Sequence, residues 1–257
     1  MADPEGIKPF VLDFGSLLSL GIAFSLMPAA QILSTFLPAT TPRIFRFLFL
    51  WHAFDFLTHS IIEGSFLYHS FRTFIQLPAT TDDFPHPAVP RDAIPYLYGR
   101  ADRRYGPSYG DSVTARMWQE YAKADRRWGG ADLNVISLEI LTVGLAGPAA
   151  AYICYLIYKA ANIPPGKEKS SVQAKIWFAA AMLATGELYG GFMTFAPEWL
   201  SGNTQLKTDD PVYLWLYLVF FNLLWVLIPL WVLCAAYREI MKNFERAGSM
   251  TGWKKAK

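Results

Sequence analysis

The chain has 257 residues, 53% of them hydrophobic and 16% aromatic, too apolar for an ordinary soluble domain and too short for several domains. Its formal net charge of +2 is nearly neutral, so nothing in the total suggests a nucleic-acid partner. Two cysteines, Cys154 and Cys234, each inside an apolar run, argue against a disulfide framework and a thiolate metal site, which leaves one all-α membrane unit over residues 1–257.

The chain opens Met1-Ala2-Asp3-Pro4-Glu5, an acidic start without the basic region and small-residue cleavage site of a secretory signal. The first apolar run, Phe10 to Pro38, is therefore expected to stay as a helix. Spanning a hydrocarbon core of about 30 Å takes roughly 20 apolar residues as helix. Phe47 to Leu77, Leu133 to Tyr158, Ile176 to Pro197 and Pro211 to Tyr237 meet or approach that length as well, predicting a bundle of five transmembrane helices. Phe14 to Pro38 and Pro211 to Tyr237 hold no formal charge. The three middle runs carry acids at depth: Asp55 and Glu63 with His59 in the second, Glu139 in the third, Glu187 in the fourth. A charge near the bilayer centre costs at least about 2.5 kcal/mol, so these groups are expected to face one shared internal site.

Between the second and third runs lies a polar insertion, Pro78 to Asp132, read as an extramembrane cap. Pro78, Pro85, Pro87, Pro90 and Pro95 exclude a continuous helix through its first half, and Ser112 to Trp128 is predicted helical. Orientation follows from the other loops. Lys159, Lys167, Lys169 and Lys175 precede the fourth run, and Arg238, Lys242, Arg246, Lys254, Lys255 and Lys257 follow the fifth, placing both segments in the cytosol. Glu198, Asp209 and Asp210 fit the opposite side, where five spans also put the N-terminus. The ending Lys254-Lys255-Ala256-Lys257 has the form of a dilysine retrieval address, which points to the endoplasmic reticulum membrane.

His59 and Glu63 are four apart and stack on one helical face, with Asp55 a turn further back. An imidazole beside a carboxyl in a dry site can carry protons; the same pair can also serve as polar glue between helices. A metal site is not expected, because the spacing is not His-Glu-x-x-His and the third to fifth runs hold no further histidine. Glu139 with Thr142, and Glu187 with Tyr189, add acid and hydroxyl groups. Asn222 and Trp225 share a face of the fifth run, where a mid-span amide seeks a partner.

In order along the chain stand His59-Ser60-Ile61-Ile62-Glu63-Gly64, then Trp118-Gln119-Glu120-Tyr121-Ala122-Lys123-Ala124-Asp125-Arg126-Arg127, then Leu138-Glu139-Ile140-Leu141-Thr142 leading to Gly147-Pro148. Gly186-Glu187-Leu188-Tyr189-Gly190, Tyr213-Leu214-Trp215-Leu216-Tyr217, Phe221-Asn222-Leu223-Leu224-Trp225 and Pro229 complete the set. This set resembles the emopamil-binding protein family, the sterol Δ8-Δ7 isomerases that share the EXPERA domain, over about residues 47–238.

The resemblance implies an endoplasmic-reticulum enzyme that moves a sterol ring double bond without a cofactor, by protonation, carbocation formation and deprotonation. It assigns His59 and Glu63 to proton delivery and return, Glu139 to the second acid/base position, and Asn222 and Trp225 to orienting the carboxylate and facing the cation. Trp118, Thr142, Glu187, Tyr189 and Tyr217 are expected to touch the substrate. Expected partners are a sterol or other terpenoid, membrane lipid and cationic amphiphile inhibitors, with a homodimer left open. The long segment Pro78 to Met117, Ile140 in place of a hydroxyl residue, Glu187 and Gly191 in place of an amide and an acid, and the extra carboxylate Asp55 depart from the family pattern. They keep two alternatives in view: an isomerase or cyclase of another terpenoid, and a sterol-binding membrane protein without catalysis.

Overall fold

The computed structural model describes residues 12–77, 97–100 and 102–255, the last six by backbone only. Five long helical runs dominate the described residues, one for each apolar run of the sequence. The first is α1 (Phe14–Ser34), opened by Asp13, whose carboxylate accepts from the Ser16 backbone N–H at 2.8 Å. The second joins α2 (Arg43–Leu57), a π-helical turn (Thr58–Glu63) and α3 (Gly64–Arg72). The short helix α4 (Val113–Tyr121) precedes the third run, made of α5 (Leu133–Leu141), a second π-helical turn (Thr142–Ala146) and α6 (Gly147–Asn162). The fourth is α7 (Lys167–Ser201), and the fifth a π-helical stretch (Tyr213–Phe220) leading into α8 (Phe221–Lys255).

Phe14–Ser34, Leu133–Asn162 and Tyr213–Ser249 are long and apolar enough to cross a membrane. The second and fourth runs are as long, but Asp55, His59 and Glu63 in one and Glu187 in the other lower their hydropathy. Rings such as Phe14, Phe36, Phe178 and Trp215 point outward from the bundle, where lipid would cover them. Inside, α2 packs on α1 and α6, α6 on α7, and α7 on α8. Fully buried Ala30, Ala150, Ala180 and Ala184 let the backbones approach closely, the usual device of helix packing in lipid.

Several boundaries differ from the sequence expectation. The second run begins at Arg43 and stops at Arg72, because Phe74–Gln76 leave the helix as strand β1 and pair antiparallel with β2 (Arg103–Tyr105). Helix α4 ends at Tyr121 rather than reaching Trp128, since Asp125 turns the chain and caps the 3₁₀ turn Arg126–Gly129. Helix α7 starts nine residues before Ile176 (176 − 167) and stops where Gly202 takes a φ of 84°. Pro78, Pro85, Pro87, Pro90 and Pro95 of the insertion and the chain's last two residues lie outside the described residues.

The segment from β2 to α5 closes one end of the bundle. Trp118 stacks on Trp128 with centroids 4.8 Å apart, and Phe66 of α3 packs against both rings. Buried Arg127 donates to both Asp125 oxygens, at 2.9 and 2.6 Å, and to the Thr194 carbonyl of α7 at 2.6 Å. Gly106 is required where it stands: its φ is 138°, and a Cβ there would meet the Gly129 carbonyl oxygen at 2.6 Å. On the same side Arg100 and Arg103 bracket the exposed Asp102 and hold its carboxyl well below the usual carboxylate range.

Candidate active site

A cavity of about 1130 Å³ runs between the five helices and under the α4 segment. Pockets for drug-sized ligands are usually about 300–1,000 Å³. This one therefore has room for a polycyclic lipid. Its wall is apolar, from Leu20, Ala23 and Leu26 of α1 to Leu138, Leu183 and Val226, and its polar groups gather where α2, α5 and α7 face each other.

His59 stands at the centre of that polar patch, 2% exposed. The π turn holds its Nδ1 2.5 Å from Glu63 Oε2, so the ring donates forward to a carboxylate. Its Nε2 lies 3.0 Å from Asp55 Oδ1, close enough for an ion pair when the ring is protonated. Glu63 in turn meets Glu139 across the helix pair, and Thr142 Oγ1 donates to Glu139 Oε2 at 3.1 Å. Two carboxyl groups in contact in a dry site need a proton between them.

Behind His59, Asp55 is fully buried and its Oδ1 accepts from the Trp225 indole N–H at 2.9 Å. That bond fixes the indole, which Trp51 and Phe54 also pack against at centroid distances of 5.5 and 5.6 Å. Glu187 of α7 approaches Asp55 from the opposite wall.

Of the residues expected from the sequence, His59, Glu63, Glu139, Thr142, Glu187, Trp225, Asn222, Tyr189, Tyr217 and Trp118 all line this cavity. Tyr189 does so from an exposed position at the mouth. Trp118 donates its indole N–H to Ser65 Oγ at 2.9 Å, tying α4 to α3. Asn222, expected to orient a carboxylate, donates from Nδ2 to Tyr121 Oη at 3.1 Å and to the Tyr217 and Leu218 carbonyls at 3.2 and 2.9 Å.

Sequence reasoning placed Asp55 among the departures, although a carboxylate one turn before His59 was the available signal. It left Tyr121 without a role and passed over His52, which is fully buried three residues before Asp55. Among the described residues Asp55, His59 and Glu187 bring one ligand atom each within 4.8 Å of one another, close enough to hold a metal ion together. Looking for histidines on later helices could not reveal that grouping, since two of its ligands are carboxylates on different helices.

An apolar cavity between membrane helices, with its acids and one histidine gathered where α2, α5 and α7 meet, has the make-up of a lipid-binding site with acid/base groups. The chain is related to the emopamil-binding protein family: residues 113–236 match the EBP family model, described as EXPERA (EXPanded EBP superfamily). It is 28% identical to the probable 3-beta-hydroxysteroid-Delta(8),Delta(7)-isomerase of Oryza sativa subsp. japonica over 78% of this chain and 70% of that one. With the probable isomerase of the same name from Arabidopsis thaliana it shares 25% identity, over 91% and 84% of the two chains. With the 3-beta-hydroxysteroid-Delta(8),Delta(7)-isomerase of Cavia porcellus it shares 30% identity over 45% of each.

Proposed function

We propose that this protein is a sterol Δ8-Δ7 isomerase. The observation that carries the reading is the Glu139–Glu63–His59 chain, in which a proton-sharing carboxyl pair is backed by an imidazole and opens on a cavity of sterol size. The printed names of the relatives point the same way.

The chemistry follows from that wall. The proton shared by Glu63 and Glu139 passes from that pair to one carbon of the ring alkene while His59 Nδ1–H holds Glu63, and the electron pair of the double bond forms the new C–H bond. The positive charge left on the other alkene carbon faces the Trp225 ring, whose π density stabilises it. Glu139 or Glu63 then takes a proton from the adjacent ring carbon, and that C–H electron pair becomes the shifted double bond. No electrons leave the substrate, so no redox cofactor enters the balance. Thr142, Glu187, Tyr189, Tyr217 and Trp118 hold the ring system. Cationic amphiphiles bind as mimics of the intermediate.

The same reading takes all five long helices as spans, including the two made less apolar by their site acids. The polar segment around 78–132 is then a cap between the second and third spans, within one membrane domain over 1–257 and an EXPERA-like region of about 47–238. The basic tail is cytosolic, the N-terminus is on the opposite side, and the protein resides in the endoplasmic reticulum membrane. The added acids Asp55 and Glu187 favour a second reading, another terpenoid turned over by the same acid/base groups.

The test is incubation of membranes containing the protein with a Δ8 sterol in deuterated water. A Δ7 product carrying one new deuterium is the expected result. Recovery of unlabelled Δ8 sterol from well-folded protein refutes the sterol assignment.

A further inference from the structure

The two sides of His59 differ in a way the isomerase reading does not use. On the Glu63 side each acid has a donor: the imidazole N–H for Glu63 and the Thr142 hydroxyl for Glu139. On the Asp55 side, among the described residues, Asp55 Oδ2, both Glu187 carboxyl oxygens and His59 Nε2 are buried with no hydrogen-bond partner. Orphaned polar atoms of this kind each cost about 1–3 kcal/mol when dry, and one ligand atom from each of Asp55, His59 and Glu187 lies within 4.8 Å of the other two.

With its hydrogen on Nδ1 toward Glu63, a neutral His59 ring turns the lone pair of Nε2 toward Asp55 Oδ1, 3.0 Å away, whereas a ring protonated on both nitrogens pairs with both carboxylates. Lone pair against lone pairs is repulsive unless a cation lies between them. A single proton shared by Asp55 and Glu187 would satisfy two of the four atoms and leave Nε2 and one carboxyl oxygen bare. A divalent cation satisfies three or four at once and cancels both carboxylate charges, which removes the penalty of burying them.

We propose that Asp55 Oδ2, His59 Nε2 and the Glu187 carboxylate bind a divalent transition-metal ion of the zinc class, with a fourth position open to the cavity. Nitrogen and oxygen ligands at about 2.0–2.2 Å from zinc stand roughly 3.3 Å apart in a tetrahedron, and these three groups lie within 4.8 Å of one another. The outer ligand atoms are already held: Nδ1 by Glu63 and Asp55 Oδ1 by the Trp225 N–H. Partners of that kind orient first ligands at metal sites and are worth about 10–100-fold in affinity. Metal on Nε2 keeps the hydrogen on Nδ1, the tautomer that Glu63 requires, so the site is compatible with the proposed proton transfer and does not depend on it.

The test uses the full-length protein purified in detergent from zinc-supplemented cells, with metal content read by mass spectrometry. About one zinc per chain is expected, falling at least tenfold in Glu187→Gln and in Asp55→Asn, which keeps the acceptor for Trp225, and unchanged in His69→Gln. Chelator-stripped protein titrated with Co²⁺ should develop a visible d–d band that Glu187→Gln lacks, with native elution and tryptophan emission confirming that each variant is folded. Parent protein with less than a tenth of an equivalent of zinc and no cobalt band overturns the site and leaves the isomerase reading standing. Stoichiometric metal with no Δ8 turnover does the reverse.

Discussion

Glu63→Gln removes the acid from the proton pair while keeping its volume and its ability to accept from His59. Glu63 meets His59 Nδ1 at 2.5 Å and Glu139 on its other side, so the amide replaces the one group in contact with both. General acid/base assistance contributes about 10²–10⁴-fold, or roughly 2.7–5.4 kcal/mol of barrier at 1.36 kcal/mol per decade. Turnover of a Δ8 sterol, followed by mass spectrometry of the product, should fall by that factor, while binding of a cationic amphiphile persists. His59→Ala should lose a similar factor, and the double variant little more than either single one, because groups acting as a unit are non-additive. Glu63→Gln with turnover within threefold of the parent would refute the assignment and make the pair a helix–helix contact.

Trp225→Leu keeps much of the apolar volume without the π face, so affinity for an amine amphiphile should drop about 2–30-fold, matching a cation–π contribution of about 0.5–2 kcal/mol; parent-like affinity counts against a charge-facing role. Asp125→Ala strands buried Arg127 beside Glu198. Breaking such a pair costs about 3–5 kcal/mol, which lowers the unfolding midpoint by roughly 6–20 °C, as a thermal shift assay will show. Gly106→Ala forces a φ of 138° on a residue with a Cβ, and faster proteolysis of the α4 segment than in the parent is expected. Glycosylation tags at the two ends should give opposite accessibility, and cytosolic access to both ends would remove the five-span topology.

The hydropathy of the chain made the five long helices legible, because runs such as Pro211 to Tyr237 have no other way to satisfy their backbone in lipid. Their ends were less legible. Nothing in Phe74-Ile75-Gln76 distinguishes a last helical turn from a strand until Arg103–Tyr105 arrives to pair with it. The His59–Glu63 contact could be read from i, i+4 spacing, since it is local. The Asp55–Trp225 bond links residues 170 apart in sequence, and Glu187 reaches Asp55 from another helix; such contacts depend on how the helices are rotated against each other. Asn222 shows the same limit, since a mid-span amide announces that it needs an acceptor without saying that Tyr121 supplies it.

The three π-helical turns, Thr58–Glu63, Thr142–Ala146 and Tyr213–Phe220, all border the cavity. A π turn amounts to an α-helix with one residue inserted, so each is a potential deletion scar in reverse. Excising a single residue from one of them would restore ordinary winding and swing everything beyond it by about 100° around the helix axis. A deletion within Thr58–Glu63 would turn the α3 face that carries Phe66 away from Trp118 and Trp128. Length polymorphism among relatives should therefore be tolerated in the loops and excluded from these three stretches, and an alignment that slides a gap into one of them would misplace every site residue downstream.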